Sequence, residues 1–133
     1  MVSLRRLARR RTTVERVYLF LHLFGVCLLF ASLGGLALHM MNGGDKSSNL
    51  NRKLIMISHG LALIIMLVAG VGYLTRTGQT VNQGWVHAKI GIWFLMGAAP
   101  AVIYRVPSAA KMLWFILPLM GGLAFYFARF KLG

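Results

Sequence analysis

The sequence predicts an all-α integral membrane protein that folds as an antiparallel four-helix bundle with both termini in the cytoplasm. Hydrophobic residues make up 58% of the 133-residue chain and charged residues only 13%, and the mean hydropathy is +0.70. Globular chains are about one-quarter charged, so this chain has too little polar surface to cover a soluble domain. The hydrophobic residues also fall into four long runs separated by short polar segments.

Each of the four apolar runs is long enough to cross a bilayer as a helix. A transmembrane helix needs roughly 17–25 apolar residues, and its backbone polar groups must pair within the segment because lipid offers no partner. The short polar connections make consecutive helices antiparallel neighbours. The predicted membrane domain, residues 17–133, therefore contains spans at residues 17–41, 54–74, 85–104 and 112–128.

Residues 1–16 form a separate, strongly basic cytoplasmic segment that contains six arginines. Its apolar residues recur at roughly helical spacing, so it is either a basic amphipathic helix on the membrane or a solvated tail. A basic start before an apolar stretch is also typical of a signal peptide. The stretch continues past Ser32 without a polar break, which favours an uncleaved first helix. The simple four-helix design favours a bacterial inner membrane, and the arginine-rich start leaves a mitochondrial location open.

The distribution of basic residues predicts the orientation of the protein in the membrane and the chemical nature of its partner. Nine Lys and Arg residues flank the side that carries both termini, against five on the other side, and the larger number belongs in the cytoplasm. The net charge of +13, with only Glu15 and Asp45 as acids, also raises nucleic-acid binding as an option. The basic residues lie at the ends of apolar runs, however, which indicates a bilayer with anionic headgroups as the partner and no nucleic acid.

The sequence contains no motif of a soluble enzyme. Both acids lie outside the apolar runs, and no HExxH, CxxC, GxSxG or phosphate-binding glycine loop is present. No catalytic residue is therefore assigned, and an enzymatic role is disfavoured. A channel or transporter is disfavoured too, because the runs lack midplane polar residues and the broken-helix repeats of such proteins. We expect the single cysteine, Cys27, to be a small buried apolar side chain.

Four histidines within the apolar runs are the candidate functional residues. His22 and His87 lie near the predicted cytoplasmic ends of their spans, whereas His39 and His59 lie toward the opposite side. Histidines at matching depth can bind haem iron from both faces, so His22 and His87 are the favoured ligands of a haem b, with His39 and His59 as a second pair. Lys89 would then bind a propionate. The competing interpretations are histidine rings at the membrane interface and a lysine that snorkels to the surface.

The stretch from Gly84 to Ile90, GWVHAKI, resembles the Trp-Leu-His-x-Lys-Leu start of a helix in the membrane haem-containing protoporphyrinogen oxidases. Related patterns occur in small inner-membrane proteins of the invasion-gene up-regulator type and in copper-resistance-D-like proteins, and His22 followed by Gly34 and Gly35 is similar to these families as well. The resemblance implies a four-helix bundle and a haem b held by His22 and His87. It does not extend to the oxidase family's other histidine-rich helix ends, so an oxidase activity is not implied.

The leading functional hypothesis is non-catalytic. Small size, the lack of active-site acids and glycine-rich helix faces are typical of an accessory or scaffolding subunit that packs against other membrane proteins or against itself. The alternative is a b-type haem-binding electron-transfer protein that uses paired histidines. The absorption spectrum of the purified protein distinguishes the two hypotheses.

Overall fold

The computed structural model describes residues 2–131, which contain four α-helices and no strand. All four helices are long and apolar enough to cross a membrane, as the sequence predicts. A single 3₁₀ turn precedes the last helix and begins at the predicted helix breaker, Pro107. The helices are α1 (Val2–Met41), α2 (Arg52–Arg76), α3 (Gly84–Arg105) and α4 (Ala110–Phe130).

The basic N-terminal segment is helical and continues into the first apolar run as the start of α1. Arginine is a good helix former, and Thr12 and Thr13 donate their hydroxyl hydrogens to the carbonyl of Arg9 at 2.9 Å, so these polar side chains are satisfied within the helix. At 1.5 Å per residue the 40 residues of α1 extend about 60 Å. This length is about twice the hydrocarbon thickness of a bilayer.

Helix α1 is the central element, since it contacts α2, α3 and α4, whereas α2 and α4 do not touch. Large side chains of α1 and α3 fill the middle of the structure, and the most deeply buried are Leu29, Leu33, Leu36 and Ile103. Cys27 is exposed on the outer surface of α1, so the expectation that it is buried is wrong. It lies two residues before Leu29, which turns its side chain to the opposite side of the helix from the core.

Small residues allow α1 and α2 to approach closely. A Cβ atom at Gly25 would lie 2.8 Å from Cγ of Met66 and 3.2 Å from the carbonyl oxygen of Ala62, so only glycine fits there. Gly72 likewise makes room for the ring of Tyr18. Between helices in lipid, such close packing takes the place of the hydrophobic effect. The α1–α2 interface is therefore the most closely packed and most extensive helix contact among the described residues.

Candidate functional site

The side chain of His22 on α1 forms a hydrogen bond to the backbone of α2. Its Nδ1 lies 2.9 Å from the carbonyl oxygen of Met66, and because a carbonyl can only accept, Nδ1 carries the hydrogen. The ring packs against Gly70, where a Cβ atom would lie 3.2 Å from Nδ1. This bond leaves Nε2 with a free lone pair, which is the arrangement of a metal-binding histidine oriented by a carbonyl. The same bond also serves as a simple link between two helices.

His59 and Trp93 link α2 to α3 in a reciprocal pair of hydrogen bonds. Trp93 Nε1 on α3 donates to the carbonyl of Leu63 on α2 at 3.1 Å. Nε2 of His59 on α2 donates to the carbonyl of Gly97 on α3 at 3.4 Å. His59 is only 3% exposed, and its Nδ1 has no hydrogen-bond partner among the described residues. This role of Trp93 cannot be predicted from the sequence, because it depends on the neighbouring helix.

His39, in the last turn of α1, bonds to the loop that follows the helix. Its Nε2 donates to the carbonyl of Asp45 at 2.8 Å. The Asp45 carboxylate in turn accepts from the hydroxyl of Ser47 at 2.6 Å and from the amide of Ser48 at 2.8 Å. These bonds, with that of the Ser47 hydroxyl the strongest, lower the pKa of the Asp45 carboxyl to about 2. The His39 ring therefore shapes a loop and does not face His59.

Lys89 and His87 lie on opposite sides of α3. The Lys89 ammonium is close enough to the His22 ring for the two groups to interact electrostatically, and it lies 6.0 Å from the centre of the Trp85 ring. His87 is exposed. Two residues along a helix turn a side chain by about 200°, so His87 and Lys89 point to opposite sides of α3. The pairing of His22 with His87 therefore stays a prediction from the sequence.

The arrangement fits an iron ligand at His22. One groove lies between the basic part of α1 and the end of α2 and another between the middle of α1 and α4, and neither of these two is lined by a histidine. Within residues 2–131, no group of three or more His, Cys, Asp or Glu side chains is placed to hold a metal ion. The haem site therefore stays a prediction from the sequence.

The first groove was not predicted. It has a volume of about 650 Å³, and its walls combine apolar side chains of α1 with three arginines. The sequence shows that the arginines flank apolar runs, but the approach of α1 and α2 that places Arg76 in one groove with Arg10 and Arg11 is a property of the folded chain.

Comparison of the chain with protein-family models, curated proteins and solved structures finds no match in any of the three. Function is therefore argued from the helices and their surfaces alone.

Proposed function

We propose that this chain is a small bacterial inner-membrane protein, an antiparallel four-helix bundle with both termini in the cytoplasm. In this proposal it acts without catalysis, as an accessory or scaffolding subunit that packs against other membrane proteins or a second copy of itself. The helix contacts, the charge distribution and the glycines on the outer surface each support a different part of this proposal.

The antiparallel arrangement is supported by the order of the contacts along the helices. Tyr18 meets Gly72, whereas Gly25, one to two turns later on α1, meets Ala62, which comes earlier on α2. The α2–α3 hydrogen bonds run in the same sense, because position 59 pairs with position 97 and position 63 with position 93. Between α1 and α4, a Cβ at Gly121 would touch the ring of Phe30. In the α1–α2 and α2–α3 pairs the residue numbers rise along one helix as they fall along the other, which is the order of antiparallel helices. The single α1–α4 contact is consistent with the same order.

The orientation is supported by the basic half of α1, which continues past the membrane and shares its end of the bundle with Arg76. Reporter fusions after Ser47 and after Gly133 should lie on opposite sides of the membrane, with the C-terminal fusion in the cytoplasm. Two reporters on the same side would contradict the four-span arrangement. Replacing the five arginines between residues 5 and 11 by glutamine should produce mixed insertion, and an unchanged orientation would show that other segments set it.

The accessory role rests on glycines that no internal contact explains. A Cβ atom at Gly91 or at Gly122 would meet nothing within 4 Å, in contrast to Gly25 and Gly72. Glycine in a helix interior costs about 0.5–1 kcal/mol relative to alanine, and in lipid small residues on an outer face allow another helix to approach. Helix α4 also leaves most of its residues unburied, with only Ala110 and Leu117 in the core. An outer surface of this kind is suited to a neighbouring helix.

Substitution at Gly122 tests the accessory role. Cross-linking in native membranes followed by native electrophoresis should show the wild-type chain in a species larger than the monomer. Gly122→Leu should convert it to monomer, because the bulky side chain keeps a second helix at a distance. Leu123→Phe, a change on the same helix that adds bulk at an already large exposed side chain, should leave the larger species intact. A wild-type chain that is monomeric in the membrane would overturn the proposal.

The alternative proposal, a b-type haem protein, draws support from His22, whose Nε2 is free and whose Nδ1 is oriented by a carbonyl. A second axial ligand would come from His87 after rearrangement or from a neighbouring subunit. A low-spin spectrum should be lost in His22→Ala and His87→Ala and retained in His39→Ala. A colourless preparation of both the protein and its co-purified complex would discard this alternative.

A further inference from the structure

The groove between the basic part of α1 and the end of α2 has the chemistry of a lipid site. Its floor consists of apolar side chains from successive turns of α1, namely Leu4, Leu7, Ala8 and Val14. Leu4 and Leu7 are well exposed, at 70% and 60%, although they belong to a helix that is otherwise basic here. The groove therefore offers a strip of uncovered apolar surface outside the first predicted span.

Three arginines close the groove from two helices. Arg10 and Arg11 come from α1, and Arg76 is the last residue of α2. No acidic side chain is among the lining residues. All three arginines are exposed, so their guanidinium groups are available to a ligand. Guanidinium groups bind phosphate oxygens in pairs of parallel hydrogen bonds, and a cluster of three from different elements is complementary to a phosphodiester.

The position of the groove matches the depth of a lipid headgroup. Tyr18 packs against Gly72 at the last turns of the apolar part of the α1–α2 pair, and the groove begins just beyond, where the first span starts and α2 ends. A phosphate on the arginines would lie at the membrane surface, and an acyl chain would run from it toward the bilayer along Val14. Basic pockets of this kind between helices bind anionic lipid headgroups. A volume of about 650 Å³ is within the range of ligand pockets.

From the mixed apolar floor and three-arginine rim, we propose that this groove binds one anionic glycerophospholipid, with its phosphate on Arg10, Arg11 and Arg76 and the upper part of an acyl chain against Val14, on the side of the arginines that faces the bilayer. The site uses the membrane placement proposed above and does not depend on the accessory role. A phosphate ester without acyl chains shares the charged part of this chemistry and is separated from the lipid by the experiment.

Native mass spectrometry of the full-length protein in detergent measures the binding directly. The probes are phosphatidylglycerol and phosphatidylcholine with identical acyl chains. The wild type should retain phosphatidylglycerol and lose phosphatidylcholine. A basic residue near a membrane surface contributes about fivefold to the binding of anionic lipid, so removing three should weaken retention on the order of a hundredfold. The triple variant Arg10→Gln, Arg11→Gln, Arg76→Gln tests this figure.

The matched control removes three arginines of the same segment that do not line the groove, with the substitutions Arg5→Gln, Arg6→Gln and Arg9→Gln. This variant has the same net charge and should keep most of the binding. An equal loss in both triple variants would show diffuse attraction and overturn the site, as would equal retention of the two lipids by the wild type. Circular dichroism checks that each variant keeps its helices.

The apolar strip has its own test. Val14→Asn should weaken phosphatidylglycerol retention while leaving the arginines in place. Glycerol phosphate, which has the charged group and no acyl chain, should compete poorly at equal concentration. Full competition by glycerol phosphate together with unchanged binding in Val14→Asn would overturn the lipid assignment and leave a site for soluble phosphate esters.

Discussion

Replacing Gly25 by alanine is the sharpest test of the helix packing. The added methyl group would lie 2.8 Å from Cγ of Met66 and 3.2 Å from both the carbonyl oxygen of Ala62 and the amide nitrogen of Met66. The Met66 side chain can turn away, but the two backbone atoms cannot move without separating α1 from α2. Forcing extra atoms into a packed interface costs about 1–3 kcal/mol. Alanine regains about 0.5–1 kcal/mol of helix propensity, so we expect a net loss of about 1 kcal/mol.

Gly60→Ala is the matched control, since a Cβ atom there meets nothing within 4 Å. It should gain about 0.5–1 kcal/mol from helix propensity alone. The difference between the two alanine variants then isolates the packing contribution of about 1–3 kcal/mol. The assay is unfolding of the purified protein in mixed micelles by increasing sodium dodecyl sulfate, followed by loss of helical circular dichroism. Equal stability of Gly25→Ala and Gly60→Ala would refute the close approach of α1 and α2.

Three further substitutions test individual polar contacts by the same unfolding assay. Trp93→Phe removes the hydrogen bond to Leu63 and should lower the free energy of unfolding by about 0.6 kcal/mol. Trp114→Phe, at an exposed position, should lower it by less, and equal effects of the two substitutions would contradict the hydrogen bond. His59→Leu removes a buried ring with one unpaired nitrogen and should change the free energy of unfolding by less than about 1 kcal/mol. A larger loss would show that the 3.4 Å bond from His59 to Gly97 stabilises the fold. Because the pKa of Asp45 falls from 3.8 to about 2 on folding, its carboxylate stabilises the loop above pH 3.8, and this contribution disappears as the pH falls through 2. Asp45→Asn should flatten that part of the stability profile, and an unchanged profile would exclude the proposed loop bonds.

Hydropathy was enough to predict the number of helices and the approximate location of each span. The four runs correspond to α1–α4, because lipid requires a continuous helix wherever a long apolar segment crosses it. Hydropathy did not predict where α1 begins. An arginine-rich segment has no apolar signal, but the helix propensity of arginine and the continuous backbone hydrogen bonds extend α1 to Val2.

The rotation of each helix about its own axis cannot be predicted from the sequence, and this rotation determines which side chains come into contact. His22 and His87 were paired because they lie at matching depth, but depth says nothing about the direction of a side chain. On α3, Lys89 is half-buried and interacts electrostatically with His22, whereas His87, on the opposite side of the helix, is exposed. The resemblance of the stretch around His87 to haem proteins is limited in the same way. A shared sequence pattern indicates how deep a residue lies in the membrane, but it does not indicate the direction of the side chain.

The two histidines that link helices, His22 and His59, lie at different levels along α2. This separation favours a role in helix packing and disfavours a path for proton or ion transport. His22 bonds to the carbonyl of Met66, and His59 lies seven residues earlier on α2, about 10 Å away along the helix axis. Between these two levels α1 and α2 are in close contact, where Gly25 lies against the completely buried Ala62. A proton or ion moving between the two histidines would have to cross this apolar contact without a polar partner, which is costly. Each histidine instead bonds to a neighbouring backbone carbonyl, so the polar side chains act as links between helices.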